Sequence, residues 1–161
     1  MLDCCRSAQP EPSSKLRRAI LCPRCGGRGR EVGTITLKSL LAPRALERLQ
    51  PKSRYAFCPT PDCSVVYFSD ESIFTTADLK VPVFQKDSGP DVPVCYCFGW
   101  TRRRIADEIT ATGKSTAVFH VAEHIKAGRC GCDVNNPQGS CCLGNLQAVV
   151  RELQRDITST R

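Results

Sequence analysis

The chain has 161 residues, 41 % of them hydrophobic and 24 % charged, with twelve cysteines and a formal net charge of +7. Its cysteine content falls just under the ~8–10 % of small secreted disulfide scaffolds in a chain about twice their length, which argues against that class and against collagen-like or wholly disordered chains. The positive charge is spread over both halves, so no basic stripe of the kind that reads nucleic acid stands out.

Residues 1–17 hold Pro, Ser and Gln with little apolar content and read as a mobile tail. That tail lacks the apolar run of a secretory signal, and no later stretch approaches the ~20 apolar residues of a membrane helix. The expected location is therefore cytoplasmic, where thiols stay reduced and metal sites become the leading account of the cysteines. Cys4-Cys5 lies in the tail, either as a chelate for a soft ion such as Cu(I) or as reactive bystander thiols.

Short strand signals follow at residues 32–37 (VGTITL), 53–57 (SRYAF) and 64–68 (SVVYF). A helix is predicted near residues 39–49, with Ser39 as cap and Pro43 in or near its first turn. The polar run 86–91, with its Gly-Pro pair, reads as a turn or linker and places a domain boundary there. Beyond it, Thr101 caps a helix stopped by Gly113, and Ser115 or Thr116 starts another that ends at Gly128. A third helix covers about 144–157, where Leu143, Leu146, Val149, Val150, Leu153 and Ile157 step mostly by three and four.

Two cysteine constellations carry the chemistry. Cys22-Pro-Arg-Cys25-Gly-Gly is C-x-x-C, and Cys58-Pro-Thr-Pro-Asp-Cys63 is C-x4-C. Two close pairs on strands and turns suit tetrahedral zinc, and four thiolates leave no open position for catalysis. A redox C-x-x-C normally opens a helix, which Gly26-Gly27 disfavours. Further on, Cys95-Tyr96-Cys97 has an awkward bite for one tetrahedral ion but can grip one iron of a cluster. Its partners come from Cys130-Gly131-Cys132 and Cys141-Cys142, among which spacing does not choose, and a second zinc site is the competing reading.

The motifs VPVCYCFGWT (92–101) and NPQGSCCLGNL (136–146) resemble the iron–sulfur half of archaeal-type copper chaperones of the CopZ type. That half is itself similar to the 2Fe–2S domain of bacterioferritin-associated ferredoxin. CPRCG (22–26) and FCPTPDCSVVYF (57–68) look like the zinc-binding part of the same family. The resemblance implies a 2Fe–2S cluster on Cys95, Cys97, Cys132 and Cys142, with Cys130 or Cys141 able to replace a neighbour. It also implies a part in reducing Cu(II) to Cu(I). The family's C-terminal heavy-metal-associated domain, with its M-x-C-x-x-C copper loop, has no counterpart in this sequence, whose single methionine is Met1.

Remaining signals have bland readings. His120-Val-Ala-Glu123-His124 matches an inverted zinc-peptidase pattern but reads as a solvated helix face. Arg102-Arg103-Arg104 opens a helix against the dipole, and is either solvated, offsets cluster charge or docks an acidic redox partner. Tyr96, Phe98 and Trp100 are candidates to shield the cluster from water.

The expected protein is α+β: a tail (1–17), a zinc-binding β-rich subdomain (18–90) and a helical 2Fe–2S-binding subdomain (91–161). Its expected function is single-electron transfer in cytosolic copper, or other soft-metal, handling. A copper chaperone or transporter is a possible partner, and the electron donor is not specified. The alternative is a zinc-only ribbon module contacting nucleic acid or a protein partner.

Overall fold

Tyr55, Ala56 and Phe57 form a strand whose side chains alternate between two cores, Tyr55 and Phe57 on one face and Ala56 on the other. The computed structural model describes residues 19–160. The tail and Cys4-Cys5 lie outside the described residues. Four short strands, β1 (Arg30–Val32), β2 (Tyr55–Phe57), β3 (Val65–Phe68) and β4 (Ile73–Thr75), make an antiparallel sheet in sequence order. All four β3 residues are buried because the sheet is covered on both faces, and an irregularity between Val65 and Tyr67 shifts the register. Phe57, Tyr67 and Phe74 are wholly buried, each contributing roughly 1.5–3 kcal/mol of apolar burial.

The first helices differ from the sequence expectation. Residues 32–37 were expected as a strand; instead β1 ends at Val32 and helix α1 runs Thr34–Leu40, burying Thr36, Leu37 and Leu40 on one face. The helix expected at 39–49 is broken. Leu41 and Ala42 are extended, Leu41 bridging to Leu79, and a four-residue helix α2 (Pro43–Leu46) restarts with the proline in its first turn. Proline disfavours helical backbone in the residue before it, which is why Ala42 cannot continue α1.

The second half opens on a pair of strands, β5 (Pro93–Cys95) and β6 (Trp100–Thr101), which place Cys95 opposite Trp100. Helix α3 (Arg102–Thr112) follows as expected: Thr101 Oγ accepts from the Arg104 N–H, and Gly113 closes it at φ +82°. Helix α4 (Ala117–Lys126) is started by Ser115, whose hydroxyl accepts from the Ala117 N–H, while the Glu108 carboxylate holds Thr116. A short helix α5 (Cys132–Asn135) was not anticipated, and α6 (Leu143–Ser159) packs on α3 and α4. Ile105, Ile109, Val121, Leu146 and Val149 form the common core of these helices.

The two halves share a dense polar seam. Thr36 Oγ1 donates to the Asp133 carbonyl and Ser39 Oγ to that of Val134, both at 2.6 Å, so α1 holds α5 by its backbone. Buried Tyr67 donates to Pro137 O at 2.7 Å, and Gln85 Nε2 to Gln138 Oε1 at 2.6 Å.

The turns at 84–92 are tied down by the arginine triplet. Arg102 lies over Phe84 and reaches the Asp87 carbonyl, while Arg103 makes a two-pronged pair with Asp91 at 2.6 and 2.8 Å. Arg104 donates to the Phe98 and Gly99 carbonyls and lies 3.7 Å from the Trp100 ring centroid. Each of the three arginines has a partner within the fold, while Arg103 and Arg104 stay exposed as the solvated reading expects. Among the described residues no helix is long and apolar enough to cross a membrane.

Candidate metal centres

Cys22 and Cys25 sit on a tight turn, closed by Gly26 N–H to Cys22 O at 2.9 Å and Cys22 N–H to Gly27 O at 2.8 Å. Gly26 takes φ +69°, the left-handed region that glycine enters without steric cost. Gly27 is required for a different reason: a Cβ there would lie 2.7 Å from Thr60 Oγ1 and 3.2 Å from Cys25 Sγ. Its N–H faces that sulfur at 3.4 Å. The second turn rests on β3, through Cys58 N–H to Val66 O at 2.9 Å, and on Lys86, whose Nζ reaches Thr60 O at 2.7 Å.

Across the two turns, Cys22 Sγ is 3.9 Å from Cys63 Sγ and Cys25 Sγ is 3.6 Å from Cys58 Sγ. All four sulfurs lie within 4.8 Å of one another. A tetrahedron of thiolates ~2.3 Å from zinc has edges of about 3.8 Å, so the spacing fits that ion. Three of the cysteines are buried and Cys25 is exposed. Residues 23–25 form a turn rather than a helix, unlike the usual redox C-x-x-C.

The Thr60 hydroxyl and the Gly27 N–H lower the Cys25 thiol to about 6. Burial raises Cys58 to about 12 and pushes Cys63 upward too. Four thiols in contact cannot all ionise without a cation among them, so metal uptake must expel protons.

A second gathering of sulfurs forms where β5, α5 and the start of α6 meet. Cys97 Sγ is 3.8 Å from Cys132 Sγ, and it receives the Gly131 N–H at 3.3 Å and the Asn135 side chain at 3.6 Å. Cys142 makes thiol contacts with both Cys132 and Cys95. The sulfurs of the C-x-C therefore face different partners, Cys97 towards Cys132 and Cys95 towards Cys142. Cys141 also makes a thiol contact with Cys132.

Thiols of Cys142 and Cys97 donate to Cys132 and lower it to about 3. The same contacts raise Cys97 and Cys142. Cys95, paired with Cys142, falls to about 7. Among the described residues, only the first group has all its ligand atoms within 4.8 Å. The second is too spread for one ion.

Aromatic residues of the C-x-C loop take separate roles. Trp100 is buried, whereas the Tyr96 hydroxyl donates to Pro82 O at 2.6 Å and accepts from the Phe84 N–H. His120 and His124, expected on a solvated face, are half-buried and pack against Phe98 and Trp100. Their i, i+4 spacing put them on one face; what covers that face was not readable from the sequence.

Known proteins align with this architecture. A family model described as a zinc binding domain, of the CopZ type, matches residues 19–80. The copper chaperone CopZ of Archaeoglobus fulgidus is 32 % identical over 127 residues, 78 % of this chain and 59 % of that protein. The chain thus spans little more than half the length of that relative. The X-ray structure of the Archaeoglobus fulgidus CopZ N-terminal domain superposes with a TM-score of 0.67 at 30 % identity, covering 81 % of this chain and 97 % of that one. The match to the zinc binding domain model and the 30 % identity over 97 % of the solved domain place the chain in the family of the CopZ N-terminal zinc-binding domain.

Proposed function

We propose that the protein is a zinc-stapled one-electron carrier in cytosolic copper handling. Cys22, Cys25, Cys58 and Cys63 hold a structural zinc ion, and Cys95, Cys97, Cys132 and Cys142 hold a 2Fe–2S cluster. The observation that carries the second assignment is the gathering of four sulfurs, with Cys97 and Cys132 3.8 Å apart and Cys142 in contact with both Cys132 and Cys95. Together these four would supply the thiolates that a 2Fe–2S cluster requires. Bound there, the cluster supplies a one-electron couple, with copper or another soft metal as the expected cargo and a copper chaperone or transporter as the expected partner.

The chain's own residues do the rest. Gly131 N–H and the Asn135 amide point at Cys97 Sγ, and such donors stabilise negative charge on sulfur and raise the potential. Cys132 and Cys142 are nearly inaccessible to solvent, and Cys95 wholly so. That burial keeps water from the cluster's inner side.

Anaerobic purification without chelators tests the reading. A red-brown protein with acid-labile sulfide, iron near two per chain and about one zinc is expected. A colourless protein carrying only zinc overturns electron transfer and leaves the zinc-only binding module.

A further inference from the structure

His120 and His124 lie one turn apart on α4, and their Nε2 atoms are 3.2 Å apart. The Trp100 indole N–H donates to His120 Nδ1 at 3.1 Å, and Arg129 reaches His124 Nδ1 at 3.1 Å. Phe98 stacks on His124 with ring centroids 4.5 Å apart and planes 19° apart. Phe98 follows Cys97 in the chain, and Trp100 is the strand partner of Cys95. The imidazole pair is therefore held on several sides and abuts the loop that carries two of the proposed cluster thiolates.

Indole and guanidinium groups only donate, so a neutral ring that accepts from them keeps its single proton on Nε2. Both rings accept in this way, and two Nε2–H groups then face each other with no acceptor between them. Added protons do not relieve the conflict. Burial, with His124 and Arg104 nearby, holds His120 below the usual imidazole range. A cation does relieve it: an ion ~2.0–2.1 Å from each nitrogen would subtend an angle of about 100°, between square-planar and tetrahedral values.

We propose that His120 and His124 form a two-nitrogen site for Cu(II) beside the cluster loop, where oxidised copper is held while it is reduced. The inference rests on the electron-carrier reading above and names the landing site of its acceptor. Cu(II) gains one electron and becomes Cu(I); the reduced 2Fe–2S cluster loses that electron and returns to its oxidised state. Only the copper–nitrogen bonds break on release, because soft Cu(I) favours thiolate over imidazole. Metal binding takes both Nε2 lone pairs, so each ring proton moves to Nδ1. Exposed Arg129 then turns away, buried Trp100 gives up its hydrogen bond to His120 Nδ1, and no proton leaves neutral rings.

Cu(II) added to the oxidised, zinc-loaded protein gives an EPR signal against an EPR-silent oxidised cluster. One Cu(II) per chain is expected, with couplings from two imidazole nitrogens; a wild-type spectrum without imidazole nitrogen overturns the site and requires no variant to fold. His120→Gln and His124→Gln should each weaken Cu(II) binding by at least the ~10- to 100-fold that disturbing an outer-shell partner costs, at unchanged iron and zinc content. Equal binding in both variants overturns the site.

The reduced variants should still reduce ferricyanide at the wild-type rate while reducing one equivalent of Cu(II) at least tenfold more slowly, on the order of that lost affinity. Variants that reduce Cu(II) at the wild-type rate also overturn the site. A wild-type protein that reduces neither acceptor overturns the electron-carrier reading instead, and the EPR result then decides the site alone.

Discussion

The hydroxyl of Thr36 donates to the main-chain carbonyl of Asp133 at 2.6 Å, across 97 positions of sequence. Thr36 is 1 % exposed, so this bond is made inside the protein, between the helix behind the zinc-side sheet and the short helix that begins at Cys132. Replacing it as Thr36→Val removes the donor from a part-buried bond, at a cost of about 0.5–1.5 kcal/mol. Urea unfolding should show that loss, with faster release of the proposed cluster in air, while Thr36→Ser retains most of the stability. A Thr36→Val protein that keeps wild-type stability and cluster lifetime refutes the coupling.

Gly139 and Gly113 separate backbone strain from crowding. Both have positive φ, +68° and +82°. A Cβ on Gly139 would lie 2.6 Å from Val32 Cγ2 and 3.0 Å from Thr36 Oγ1, whereas Gly113 has nothing within 4 Å. Gly113→Ala should cost about 1 kcal/mol for its left-handed backbone. Gly139→Ala should cost more, by roughly 1–3 kcal/mol of overpacking at the seam. Thermal unfolding of the two variants side by side checks the order, and equal losses contradict it.

The zinc-side thiols titrate in opposite directions. With Cys25 lowered to about 6 and exposed, chelator-treated protein should react with iodoacetamide at neutral pH first at Cys25, more slowly as the pH falls through 6. The Cys25 contribution to metal-free stability is present above its ordinary value of 9.0 and fades as the pH drops towards 6. Cys58 does the reverse: its contribution is complete below 9.0 and is lost as the pH climbs towards 12. Zinc displaces whatever protons the sulfurs still hold, so its apparent affinity should fall with acidity. Competition with a chromogenic chelator across pH 6–8 measures that slope, and a flat profile contradicts the thiolate site.

Arg104 is expected to hold the cysteine loop rather than a partner protein. Its Nη1 reaches Phe98 O at 3.2 Å and Gly99 O at 3.3 Å while the guanidinium covers Trp100. Arg104→Gln should lower stability by about 1 kcal/mol and shorten cluster lifetime in air, and Arg104→Lys should not restore it, because an ammonium cannot keep the planar stack and both carbonyls together. Mass spectrometry and decay of visible absorbance provide the readout; full rescue by lysine contradicts the clamp.

What could be read from the sequence was whatever depended on neighbours a few residues apart. The strand 64–68, the Thr101 cap with its Gly113 stop, and the apolar stripe of α6 all carry their cause locally. The four zinc-side cysteines were found by spacing, since each turn brings its own pair close. Residues 32–37 misled because alternating β-branched residues suggest a strand. Thr36 is instead buried by tertiary contact, its hydroxyl spent on Asp133. His120/His124 misled for the same reason: their partners, Phe98 and Trp100, meet them only after folding.

The seam between α1 and α5 also carries an order in time. Everything that receives the carbonyls of Asp133, Val134 and Pro137 is encoded before residue 68, so ribosomal synthesis delivers the receiving surface well ahead of the cysteines from Cys95 onward. On the proposed metal assignment, closing the first half on zinc prepares the mould in which the later cysteines are arranged. Refolding with zinc first and iron and sulfide second should load more cluster than the opposite sequence of additions. Equal yields from both orders would mean that the two halves assemble independently.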